Sequence, residues 1–199
     1  MQVKNIIHEY FDNLKNTIDS INKNDIEQVF SLMVEAYKAD RQIFIMGNGG
    51  SATTASHFAC DINKGVTYGL DKRFKVISLV DSIATMTAYA NDLCYEDIFL
   101  EQLKNLLRPE DLVIGISGSG NSKNVIKAIE YANLKQCSSI GITGFDGGIL
   151  MKTAAYNINV PIHDMQIAED AHMILTHVTM KLLIHALASP EADTKKGHQ

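Results

Sequence analysis

Cysteine is scarce in this chain of 199 residues: Cys60, Cys94 and Cys137 stand far apart, with no CxxC pair. A disulfide framework is not expected, and the thiols read as reduced. Positive charge is also short. The chain has 18 Lys and Arg against 23 Asp and Glu, a net charge of −5, and no Lys/Arg run, which argues against a nucleic-acid footprint. No apolar run approaches the roughly 18 residues of a membrane span. Met1-Gln2-Val3-Lys4 leads into an amphipathic segment rather than a secretory h-region. The expectation is a cytoplasmic protein with neither membrane nor nucleic acid as partner. Two phosphate motifs are missing as well, since neither GxxxxGK[ST] nor GxGxxG occurs.

What is present is ordinary globular material, 46% hydrophobic and 7% aromatic, long enough for one domain with a full core. Ile6, Tyr10, Leu14 and Ile18, at four-residue intervals, predict a helix from Val3 to Asn22. A second opens at Asn24-Asp25 and runs through Ile26, Val29, Met33 and Tyr37. Strands are then expected at 43–46, 74–80, 112–116, 139–143 and 156–160. Helices are expected from Ser51, over 82–92, 96–107 and 122–135, and from about 165 to 188. Strands alternating with helices predict an α/β fold, a three-layer α/β/α sandwich around a five-stranded parallel sheet. Residues 1–199 read as a single domain: N-terminal helices over 1–40, the core and last helix over 42–188, and a polar tail over 189–199 that should fray. The two leading helices carry no chemistry and read as packing elements whose apolar face suits subunit contact.

Three stretches carry chemistry. In the first, the apolar run Ile43 to Met46 gives way to Gly47-Asn48-Gly49-Gly50-Ser51 and a helix bearing His57 and Asp61 four residues apart on one face. A glycine turn feeding a helix start is an anion site, and the anion expected is phosphate. The second, Ser117-Gly118-Ser119-Gly120-Asn121-Ser122, lies between a strand and a helix. It can face the same crevice, because ligands gather at the carboxyl ends of parallel strands. Neither loop holds Lys or Arg, which favours a sugar phosphate over a polyphosphate with its magnesium. The third is the last helix. His177 lies about 80° round from Glu169, and His172 about 60° the other way, so either histidine could join Glu169. With His57 and Asp61 the set suits a divalent metal or acid/base chemistry. His8, His163, His185 and His198 have no carboxylate constellation and read as background.

The order of GNGGS, His57 with Asp61, Ala90-Asn91-Asp92 with Tyr95-Glu96, SGSGNS, Thr143 to Gly148 (TGFDGG) and an acidic-histidine last helix resembles the sugar isomerase (SIS) domain family. Within it the resemblance is to the sedoheptulose 7-phosphate isomerases, along nearly the whole chain. It implies a flavodoxin-like sandwich, a homotetramer with active sites shared between subunits, and conversion of sedoheptulose 7-phosphate to D-glycero-D-manno-heptose 7-phosphate through an enediolate. That reaction supplies nucleotide-activated heptose for surface polysaccharide. By the resemblance Ser51, Ser117, Ser119 and Ser122 bind phosphate, with Gly49 and Gly50 in the same loop. Asn48, Asn91 and Asp92 lie near the sugar, and Asp61 and His177 are catalytic.

The same resemblance makes His57, Asp61, Glu169 and His177 the ligands of Zn2+, with Glu169 also at the substrate. Two positions depart from the family: Asp61 stands where it has glutamate and Glu169 where it has glutamine, while Ile167 replaces an arginine. A second carboxylate hardens the ligand set, so Mn2+ or Fe2+ is a rival to zinc. The departures leave two alternatives, a phosphosugar-binding SIS regulator without turnover and an isomerase of another ketose phosphate.

Overall fold

The computed structural model describes residues 2–188. The polar tail expected over 189–199, and His198 with it, lies outside the described residues. After α1 (Gln2–Ser20) and α2 (Lys23–Lys38) the chain forms β1 (Gln42–Gly47), α3 (Gly50–Cys60) and β2 (Lys75–Ser78). It continues through α4 (Ile83–Asp92), α5 (Leu100–Leu106), β3 (Leu112–Ser117), α6 (Lys123–Leu134) and β4 (Ser138–Gly144). It ends with α7 (Gly148–Thr153), β5 (Tyr156–Val160) and α8 (Met165–Ala188). The five strands form one sheet in the order β2-β1-β3-β4-β5, every pairing parallel, as expected.

Along β1, Ile43 and Ile45 enter one core while Phe44 and Met46 enter the other. That is the period of two of a strand buried on both faces, and it explains why these strands read as unbroken apolar runs. Helices α2, α3 and α8 cover one face, and α5, α6 and α7 the other, with α1 lying across α8. The strand order reverses between β1 and β3. Loops leaving these two strands therefore part in opposite directions and open a crevice at their carboxyl ends.

Four expectations change in detail. The helix expected over 96–107 is a 3-10 turn, Tyr95–Asp97, followed by α5. Ile98 and Phe99, between them, are both fully buried, and neighbouring residues of one helix point about 100° apart. The glycine-rich stretch after β4 contains α7. The cap of α2 is Asn22, whose side chain accepts from the Asn24 N–H at 3.1 Å. Finally, α8 has a mean hydropathy of 1.3 over 18 residues, long and apolar enough by composition to cross a membrane. Reading for unbroken runs missed this because polar residues interrupt it. In the fold one face of α8 packs on the core, burying Ile167, Ala168, Ala171, Leu175 and Leu183.

Candidate functional site

The seam between β1 and β3 opens into a cleft of about 130 Å³, lined by Asn48, Ser51, Ser117, Ser119, Ser122 and Glu169 together with Ile116, Gly118 and Met165. Two helices start at it, and the N–H groups of Gly50 and Ser51 in one and of Lys123 and Asn124 in the other make no hydrogen bond among the described residues. The N-cap of α3 is Gly49 at φ 53°, which has no side chain to cap with. Ser122, the N-cap of α6, makes no capping bond either, and its Oγ lies instead 3.1 Å from Ser117 Oγ. Free N–H groups and the positive ends of two helix dipoles converge on serine hydroxyls, so an anion would supply the missing caps. Ser51 and Ser117 are buried, and Ser119 and Ser122 half-buried. The serine loop is held by backbone packing. Gly120 has φ 67°, and a Cβ there would stand 2.0 Å from the Gly147 carbonyl oxygen.

Glu169 is the exception in this donor-rich cleft. Its carboxylate lies directly over Gly50, where a Cβ would stand 2.5 Å from Oε2. The glycine at the start of α3 is what gives it room.

Below the cleft α3 and α8 run parallel: Gly50 meets Glu169, His57 meets His177, and Gly65 meets Met180. His57 Nε2 and His177 Nε2 are 2.9 Å apart, and Asp61 Oδ2 lies 3.2 and 3.7 Å from them. The imidazoles are about half exposed, Asp61 less so. Asp61 stands where α3 passes into a π-helical turn, Asp61–Val66, a local widening often found at functional sites. The three donor atoms lie within 4.8 Å of one another. Two ring nitrogens pointing at each other hold at most one proton between them, whereas a cation beside the carboxylate satisfies both lone pairs. The residues therefore fit a divalent ion held by these three side chains.

Of the four expected ligands the structure thus gathers three. Glu169 precedes His177 by eight residues on α8, a rise of about 12 Å, and faces the serine cleft instead. Of the two histidines left open on α8, His177 stands beside His57 and Asp61, while His172 is 1% exposed on the inner face of the same helix, and neither of its ring nitrogens makes a hydrogen bond of good geometry. Burial lowers its pKa below the ordinary value, and the nearby Thr143 backbone offsets only part of that.

Asn91 and Asp92 lie outside the cleft. They end α4, exposed and bonded to each other at 2.9 Å. Ile167, in the arginine's place, is buried. His163 is not the lone histidine expected, since it sits 3.2 Å from Asp146 in an exposed pair. Reading the sequence also missed a network behind Asn48, in which the Tyr95 hydroxyl donates to Asn48 Oδ1 at 2.8 Å and Asn124 pairs with the Asn48 amide. Tyr95 was part of a motif without a role. Asn124, three residues after the serine loop's Asn121, carried no signal beyond its place in the first turn of a helix.

The SIS domain family model matches residues 9–144. A phosphoheptose isomerase from Syntrophotalea carbinolica is 33% identical over 95% of this chain and 97% of its own length, and one from Helicobacter pylori is 36% identical over 83% and 85%. The solved structure of a phosphoheptose isomerase from Neisseria gonorrhoeae superposes with a TM-score of 0.83 at 29% identity, covering 92% of this chain and 96% of that one.

Proposed function

The chain belongs to the SIS domain family, on the branch of the phosphoheptose isomerases, and we propose that it interconverts sedoheptulose 7-phosphate and D-glycero-D-manno-heptose 7-phosphate. The observation that carries this is the distance between the two halves of the site. Gly50, at the anion cleft, and His57, at the three-donor cluster, are seven residues apart on one helix, about 10 Å. An extended seven-carbon sugar phosphate spans that length, and a three-carbon one does not.

In this reading Ser51, Ser117, Ser119 and Ser122 hold the phosphate with the free N–H groups of α3 and α6. Its binding energy positions the reacting end at the cluster. Asp61 meets both imidazoles through Oδ2, which leaves Oδ1 to take the proton from the carbon beside the carbonyl and return it to the neighbouring carbon. His177 carries the hydroxyl proton the other way, through an enediolate. His57, Asp61 and His177 would hold a divalent ion, zinc first with manganese or iron as rivals, whose chemistry is to polarise the two substrate oxygens. Glu169 accepts from substrate hydroxyls rather than joining that set.

The reading extends to assembly and place: a cytoplasmic homotetramer with shared sites, residues 1–199 forming one SIS domain. Two faces support a second copy. The helix α4 packs on the core only through the partly buried Met86, Tyr89 and Ala90 and has no fully buried residue, and the exposed Asn91 and Asp92 at its end could reach a neighbour's cleft. On α1, Val3, Ile6, Ile7 and Phe11 are exposed. Light scattering at micromolar concentration that returned the mass of one chain would refute the tetramer.

The deciding experiment incubates metal-loaded protein with a panel of ketose phosphates and follows aldose formation. Turnover of the seven-carbon substrate above five- and six-carbon ones is expected. Because Asp61 and Glu169 depart from the family, the panel also reads the alternatives: binding without turnover would make the chain a phosphosugar sensor, and preference for a shorter ketose would make it a different isomerase.

A further inference from the structure

The side chain of Asn48 is held by three hydrogen bonds with two residues, Asn124 and Tyr95. Its Nδ2 lies 2.9 Å from Asn124 Oδ1, and Asn124 Nδ2 lies 2.8 Å from Asn48 Oδ1. A reciprocal amide pair could be turned over as a unit without losing a bond, so its polarity has to be set elsewhere. The backbone sets it. The Val125 N–H donates to Asn124 Oδ1 at 3.0 Å, which makes that atom the oxygen and fixes Asn48 with its Nδ2 towards Asn124. The Tyr95 hydroxyl must then donate to Asn48 Oδ1, at 2.8 Å. Both lone pairs of Oδ1 are spent, on Asn124 and Tyr95, and one amide proton is spent on Asn124. The second N–H of Asn48 is all that remains.

We propose that Tyr95 is a positioning residue that, with Asn124, presents Asn48 to the cleft as a donor only, creating with Glu169 a subsite for one substrate hydroxyl beside the phosphate. The proposal rests on the reading of the cleft as a sugar phosphate site. Asn48 and Glu169 line the same 130 Å³ space, one offering a single donor and the other only acceptors. A hydroxyl accepts from the first and donates to the second. A phosphate oxygen can accept from Asn48 but meets repulsion from Glu169, so it belongs at the Ser117, Ser119 and Ser122 end. The exposure of Tyr95 supports the same role. Its residue is 55% exposed, so burial gives little reason for an aromatic there, and its hydroxyl is bonded to a residue 47 positions earlier. Without that bond the Asn48 amide pivots on Asn124 alone.

The test is calorimetry on the full chain with two probes, sedoheptulose 7-phosphate and inorganic phosphate. Tyr95→Phe, a change at an exposed hydroxyl, is expected to weaken the sugar phosphate by about fivefold and leave inorganic phosphate within twofold. Its KM should rise by the same factor with kcat within twofold. In an Asn48→Ala background the same change should cost nothing further, because Tyr95 acts through Asn48. An undiminished loss in that background, a parallel loss for inorganic phosphate, or no loss at all overturns the role of Tyr95 while leaving the isomerase reading intact. A wild type that binds phosphate but not the sugar phosphate overturns both.

Discussion

The two ends of the site are built differently. The serine cleft is made of helix starts, a glycine-fixed loop and two buried hydroxyls, with Asn48 held in place by three bonds. Little in it has to move when an anion arrives, and its attraction comes from dipoles that no side-chain rotation can remove. The His57, Asp61 and His177 cluster instead hangs three side chains, two of them about half exposed, from two helices that meet only through the fold. Its geometry depends on the register between α3 and α8. The first end should tolerate single losses, whereas the second should fail when any one ligand goes.

The largest effect expected from this contrast is at the cluster. His57→Ala or His177→Ala should lower bound metal and activity by more than about hundredfold, while affinity for inorganic phosphate stays within twofold. Elemental analysis of protein purified without chelator, beside phosphate calorimetry, measures both. Wild type that isomerises with no metal after incubation with zinc or manganese would reduce the cluster to a plain acid/base pair. At the other end Ser119→Ala removes one donor among several and should weaken the phosphorylated sugar by about 1 to 3 kcal/mol without changing metal content. Unchanged affinity would take the serine loop out of the site.

The same contrast explains what could be read from the sequence. The sheet, its order of elements and the serine cleft were legible because each rests on short-range signals: apolar runs of strand length, and Gly/Ser loops between a strand and a helix. Asp61 four residues after His57 was legible for the same reason, being a relation within one helix. The partnership of His57 with His177 spans 120 residues; helical angles alone left both His172 and His177 open, and only the resemblance to the sugar isomerase family paired His177 with His57. The depth along α8 that separates Glu169 from the cluster was present in the eight-residue spacing, a rise of about 12 Å, which an angle by itself does not carry. Asn124 escaped because its work is done on another side chain.

The smallest effect sharpens the comparison within α8 itself, where His172 and His177 stand five residues apart, one buried and one open. His172 has its pKa lowered, chiefly by burial, so it stays neutral in the folded chain where the unfolded chain would take up a proton. Below the unfolded value of about 6.5 the unfolded state binds the extra proton, and stability is lost as pH falls towards the lowered folded value; above 6.5 the contribution is fully present. The slope this one residue adds is at most about 1.4 kcal/mol per pH unit. Urea unfolding of the wild type should therefore show a falling midpoint between pH 7 and pH 5.5. His172→Leu, which puts an apolar side chain where two ring nitrogens lack good hydrogen bonds, should flatten that profile while keeping stability at pH 7 near or above the wild type. An identical slope in wild type and His172→Leu would mean that the acid sensitivity comes from other groups and that burial of His172 does not govern it.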